Sequence, residues 1–303
     1  MNKKKIILAI FVLFGLFLIW YLFIKKSDYI ITFKANTATG VVYQGINEWV
    51  KAEVKNTGET FKLLHNNKFD ALQYEVSKGS KSVIYDWEIN PINDSVTSIK
   101  VGITEPSRSF INRISVPFLM TDFKTEQLKT IQAIKDDLTE HLSNFKVAKI
   151  TEGTTEEVFV AYINLKSVLQ EKAQNMIMDD PKVTGYLYRN TIKIMGKPYV
   201  EINSWDLDTE KLDFNYCFPI DKNTKYIPDE FVKFKSIPPK KGLKVSYFGN
   251  FRTSDRGWFA ILDYAKKRDL KLDLRPIENY MANPFNGGVE LEWETKIMIP
   301  FLQ

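Results

Sequence analysis

The chain has 303 residues, of which 44% are hydrophobic and 14% aromatic, a composition that excludes a disordered chain and leaves room for about two domains. Its formal charge of +5 comes from 42 basic against 37 acidic residues, but Lys3, Lys4, Lys5, Lys25 and Lys26 supply the whole excess. The body is therefore neutral, which argues against a nucleic-acid surface. One cysteine and two histidines exclude an intramolecular disulfide and argue against a metal site.

Residues 6–24 carry no charge and are bracketed by lysines. At about 1.5 Å per residue this helix matches the hydrocarbon core of a bilayer, and it ends in Trp-Tyr-Leu-Phe-Ile rather than at small residues, so an uncleaved anchor is expected in place of a signal peptide. The positive-inside rule favours a cytoplasmic N-terminus with the body outside.

Extended runs follow. Residues 29–35 read as a strand, residues 40–50 as a short helix carrying Val41, Val42, Ile46 and Trp49, and residues 71–76, 82–89, 95–103 and 110–117 as four strands between turn-rich pieces. A long helix capped by Thr121 or Asp122 comes next, with an apolar stripe of Leu128, Ile131, Ile134, Leu138, Leu142 and Phe145. This order of elements over residues 28–145 resembles the helix-grip superfamily (START/polyketide-cyclase-like, SRPBCC). That resemblance implies a sheet curled around its last helix, with an apolar cavity; a filled antiparallel core is the alternative.

From residue 148 onward the organisation repeats. Residues 158–165 read as a strand, 167–178 as a helix ended by Asp179-Asp180-Pro181, and 198–205 and 211–220 as two strands. The second copy gives a strand over 243–248, a helix over 255–268, and extended runs over 277–281 and 289–301. Both copies close alike, on Cys217-Phe218-Pro219-Ile220 and Met298-Ile299-Pro300-Phe301, and both place a basic residue and proline before the third element, Lys197-Pro198 and Arg275-Pro276. Cys217, within an apolar run, reads as a buried, inert thiol.

The lead Ile237-Pro238-Pro239-Lys240-Lys241-Gly242 into Tyr247-Phe248-Gly249-Asn250-Phe251, the helix residue Trp258, Glu278-Asn279-Tyr280 and a final strand ending Ile299-Pro300 resemble the gyrase-inhibitor-like, AraC-type effector-binding domain. The resemblance implies two half-domains facing across a cleft for small lipophilic or cationic molecules; some members are hydrolases. Two departures stand out: no helix-turn-helix domain precedes the module, and Lys296 stands where the family has an acid, which puts cation selectivity in doubt.

The expected fold is thus α+β: a transmembrane anchor (1–27), a helix-grip antiparallel sheet with a long C-terminal helix (28–147), and a duplicated strand-helix-strand-strand effector-binding domain (148–303). The expected ligand-binding residues are Tyr247, Trp258, Glu278, Tyr280 and Trp293, opposed by Glu201, Tyr199 and Tyr216, with aromatic faces and a carboxylate around a small lipophilic molecule. Trp258 is equally readable as core. Glu278 and Tyr280 share a strand face, and Glu290, Glu292 and Glu294 share another, the first two as a solvated face. No cofactor and no metal is expected. The function reads as membrane-anchored ligand binding or sensing; a hydrolase using Glu278 and Tyr280, or an interaction protein with filled pockets, is the rival.

Overall fold

The computed structural model describes residues 3–282 and 287–302. The chain is α+β and forms two compact units, Met1–Glu140 and His141–Gln303.

The first unit opens with α1 (Lys3–Ile19), continued by a π-helical turn, Trp20–Ile24. The stretch Lys5–Ile24 is long and apolar enough to cross a membrane, and none of it is buried. Then come β1 (Tyr29–Ala35), α2 (Thr39–Thr57), β2 (Thr60–Asn67), β3 (Ala71–Lys78), β4 (Lys81–Asn93) and β5 (Val96–Thr104). The strands form one antiparallel sheet in the order β1-β5-β4-β3-β2. Alternation sends Thr97, Ile99, Val101 and Ile103 of β5 to one buried face. Val41, Val42 and Ile46 of α2 are buried too, as are Ile131, Ile134 and Leu138 of α4 (Asp122–Ser143).

Thr121 caps α4, its Oγ1 accepting from the Lys124 amide at 3.1 Å. Thr121→Ala is expected to cost about 1 kcal/mol in urea unfolding, the usual price of a lost N-cap.

Two expectations for this unit are corrected. The strand over 110–117 is instead a helix, α3 (Ser109–Ser115), held because Asp28 accepts from Ser109 Oγ and, at 3.0 Å, from Arg113 Nε. The polar stretch before residue 71 holds β2, an edge strand with little buried surface and hence no alternation to read.

The second unit contains β6 (Phe145–Val147), β7 (Thr151–Thr154), β8 (Val158–Val168), α5 (Lys172–Arg189), β9 (Tyr199–Trp205), β10 (Lys211–Pro219), β11 (Lys233–Ile237), β12 (Lys241–Gly249), α6 (Asp255–Lys267), β13 (Ile277–Tyr280) and β14 (Glu294–Pro300). The sheet order is β11-β8-β10-β9-β13-β14-β12-β6, with β7 also on β12. The order strand, helix, strand, strand occurs twice, β8-α5-β9-β10 and β12-α6-β13-β14, and the two sets meet where β9 pairs β13 over Ile277–Glu201, Glu278–Val200 and Asn279–Tyr199. Beyond this short ladder the carbonyls of Pro198 and Pro276 accept from the amides of Tyr280 and Ile202, each at 3.0 Å. Gly257 lets α6 approach the sheet closely: a Cβ there would lie 2.4 Å from Ile297 Cδ1.

Here too the structure corrects the sequence reading. Helix α5 does not stop at Asp179-Asp180-Pro181 but runs through Pro181 to Arg189. The extended run 289–301 is strand only from Glu294; Glu290–Glu292 form a 3-10 turn, so the three glutamates share no strand face.

Candidate functional site

In the second unit a cavity of about 450 Å³ lies among α5, β10, β13 and β14, lined by Met176, Pro181, Tyr216, Phe218, Phe251, Tyr280 and Trp293 among others. This volume is within the range of small-molecule sites. Of the expected residues, Tyr216, Tyr280 and Trp293 line it. Phe251 meets the Tyr280 ring edge-on at 6.0 Å, and Tyr216 meets Phe218 likewise at 5.0 Å.

The polar groups on this wall are Asp180, Thr184, Lys197, Glu294 and Thr295; Asp180 Oδ1 accepts from the Tyr216 hydroxyl at 2.9 Å. Asp180 reaches the cavity because α5 continues past it. Pro181 has no N–H to offer the carbonyl of Ile177, and Ile177, Asp180 and Pro181 all line the cavity. Burial, then the Asp180 charge, pushes the Tyr216 hydroxyl far above its ordinary range, so it remains a donor.

Glu278 does not line the cavity. It lies behind Tyr280, fully buried, and accepts from Lys172 Nζ at 2.5 Å, Ser254 Oγ at 2.7 Å and the Tyr280 hydroxyl. Lys172, itself 1% exposed, also donates to Ser254 Oγ at 3.2 Å, and its ammonium sits 4.5 Å from the centre of the Trp258 ring. The carboxylate and aromatic face expected to hold a ligand thus hold a lysine of the chain itself. Burial, then the Glu278 charge, raises the Tyr280 hydroxyl well above its ordinary value, which keeps it protonated toward Glu278.

The remaining expected residues are corrected. Trp258 is core, packed edge-on against Trp205 at 5.1 Å. Tyr247 is core as well: its ring stacks on Phe145 at 5.7 Å and its hydroxyl lies 2.7 Å from Thr253 Oγ1. Tyr199 and Glu201 occupy the opposite face of the sheet. Register decides this, because Glu201 pairs Ile277 and Tyr199 pairs Asn279, while Glu278 and Tyr216 both pair Val200. On that face Glu201 bonds Lys235 Nζ at 2.5 Å and Asn215 Nδ2 at 3.0 Å. Tyr199 packs with Val160, Cys217, Ile237 and Ile277, its hydroxyl pushed by burial up to about 12.

Lys296 pairs Asn279, so it too faces away from Glu278. The substitution noted there does not set the charge of the cavity wall. Lys172, Asp180, Met176 and Phe251 were missed. Only the helical spacing of Lys172, Met176 and Asp180 signalled a shared side of α5.

The first unit holds a second cavity, about 480 Å³, lined by Tyr74, Tyr85 and Trp87 from the sheet, by Glu105 just past β5, and by Gln127 and Ile134 from α4. Tyr85 donates to Gln127 Oε1 at 2.6 Å, and the buried Trp87 Nε1 has no protein acceptor.

No protein-family model matches the chain, and no curated protein matches it significantly. Solved structures to which it is similar include the EcmrR C-terminal domain, at 14% identity and a TM-score of 0.44 over 51% of this chain and 98% of that one. A hydrolase from Listeria innocua is similar at 11% identity and a TM-score of 0.37, over 51% and 92% of the two chains. SAV2435, solved bound to tetraphenylphosphonium, is similar at 10% identity and a TM-score of 0.36, over 51% and 94%.

Proposed function

We propose that the chain is a membrane-anchored small-molecule-binding protein whose second unit takes a lipophilic ligand in the cavity bounded by α5, β10, β13 and β14. The observation that carries this reading is the cavity itself: aromatic and thioether walls with a few polar groups among them, including the hydrogen-bonded Asp180 and Tyr216 and the charged Lys197 and Glu294. The domains are read as an anchor over 1–27, a helix-grip domain over 28–147 and an effector-binding domain over 148–303. The sheet order of the first unit and its cavity against α4 support the helix-grip part. Two open cavities argue against an interaction protein with filled pockets. The Lys172 pairing of Glu278 argues against Glu278 as a water-activating base, since a base must reach the substrate.

Native mass spectrometry of the full chain released from detergent micelles tests the reading, with a co-purified small molecule expected on the wild type. Trp293→Ala, which removes a half-buried wall residue, is expected to weaken binding about tenfold, as for an aromatic anchor, with little change in folding. Retention of the molecule by both Trp293→Ala and Phe251→Ala would remove the site assignment. Asp180→Asn separates ligand classes: it weakens a cationic ligand and leaves a neutral one unaffected, measured by calorimetric titration.

A further inference from the structure

Helix α3 is built inside out. Its polar residues Asn112 and Arg113 are buried, the first donating to Glu105 Oε2 at 3.1 Å and the second ion-paired to Asp28 at 3.0 Å. Its apolar residues point the other way: Phe110, Ile111 and Ile114 are 50%, 55% and 47% exposed. The turn that follows continues the pattern, with Phe118, Leu119 and Met120 at 84%, 60% and 69%. Six large apolar side chains within eleven residues, all facing outward, form a patch that soluble surfaces seldom carry without something to cover it. In water this polarity runs against the hydrophobic effect.

The position of the patch identifies what covers it. α3 follows the end of β5, the end at which β1 begins, since Tyr29 pairs Ile103. The apolar N-terminal segment leaves its helix at the same place. Arg113 Nη1 donates to the Leu22 carbonyl at 2.9 Å, the Tyr21 hydroxyl donates to the Arg113 carbonyl at 3.1 Å, and the rings of Phe23 and Phe110 lie 5.9 Å apart. The exposed face of α3 is therefore continuous with the last turn of the segment read as a membrane span. Lys25 and Lys26, immediately after it, suit the headgroup layer.

We propose that α3 and the turn through Met120 lie in the membrane interface, their apolar side chains in the acyl-chain boundary, as a second contact beside the span. Arg113 and Asn112 then act as the bolts that fix this face outward. Covering the patch with lipid resolves its inverted polarity, because an apolar face in the interface plane is favourable where the same face in water is not. The inference rests on the membrane-anchored reading above.

Depth-resolved fluorescence tests it on the full chain. Cys217 is buried, and burial pushes its thiol well above the ordinary value, so an introduced cysteine is the reactive one. Phe118→Cys, Leu13→Cys and Ser95→Cys, the last in the exposed turn at the opposite end of the sheet, each carry an environment-sensitive probe in vesicles of phosphatidylcholine and phosphatidylglycerol containing spin-labelled lipid. The expected result is a blue-shifted, quenched probe at positions 13 and 118 and an unquenched one at 95. Quenching at 13 without quenching at 118 overturns the inference and leaves the span standing. Quenching at neither position overturns the span and the inference with it, and quenching at 95 equal to that at 118 overturns the inference as well.

Discussion

Lys172→Ala lowers the stability of the second unit by about 3–5 kcal/mol, the cost of leaving a buried charge without its partner. The estimate applies because both side chains are removed from water: Lys172 is 2% exposed at its side chain and Glu278 0%. Ser254 and Tyr280 would still donate to Glu278, but neither hydroxyl carries the charge that offsets its desolvation. Glu278→Ala is expected to fall in the same range, because it leaves an ammonium facing only Ser254 and the Trp258 ring. The double substitution Lys172→Met with Glu278→Leu is expected to cost less than either single change, since apolar groups of similar size need no counter-charge. Urea unfolding of the wild type, Lys172→Met, Glu278→Leu and the protein carrying both completes the cycle. Additive losses would show that the two side chains do not act as a pair.

The second large effect is at Trp258. Trp258→Ala is expected to destabilise the unit by about 3–5 kcal/mol, the range for truncating a large buried aromatic. Three neighbours lose contact together: the Trp205 ring, the Lys172 ammonium over the indole face, and the sheet beneath α6. Trp258→Phe is expected to cost less, because it keeps a ring in the space and removes an Nε1 that has no acceptor. A Trp258→Ala protein that unfolds at the wild-type urea midpoint would contradict its placement in the core. The contrast with Trp293→Ala separates two aromatics that look equivalent in the sequence: one changes folding, the other binding.

What the sequence revealed depended on whether local pattern and burial agreed. The stripe of α4 was legible because Ile131, Ile134 and Leu138 are both apolar and buried at helical spacing. The strands β3, β4 and β5 were legible by alternation and turns. Helix α3 was misread because its buried residues are polar and its exposed ones apolar, which inverts the signal that periodicity carries. Helix α5 was cut short because proline usually ends a helix. At the site, the aromatic residues were recognisable but their side of the sheet was not, since Tyr199 and Tyr216 differ only through pairing register. The Lys172–Glu278 contact joins residues 106 positions apart, and no local feature of a lysine in a polar helix announces such a partner.

The paired prolines at the centre of the large sheet carry one more consequence. The ladder between β9 and β13 has three residue pairs, and just beyond them Pro198 and Pro276 each give a carbonyl but have no amide to return. A slip of one residue would turn Glu278 away from Lys172 onto the opposite face. Each proline thus leaves its end of the seam with a single bond where a full pair would exchange two, and the aim of the charge at the heart of the unit hangs on a seam three pairs long.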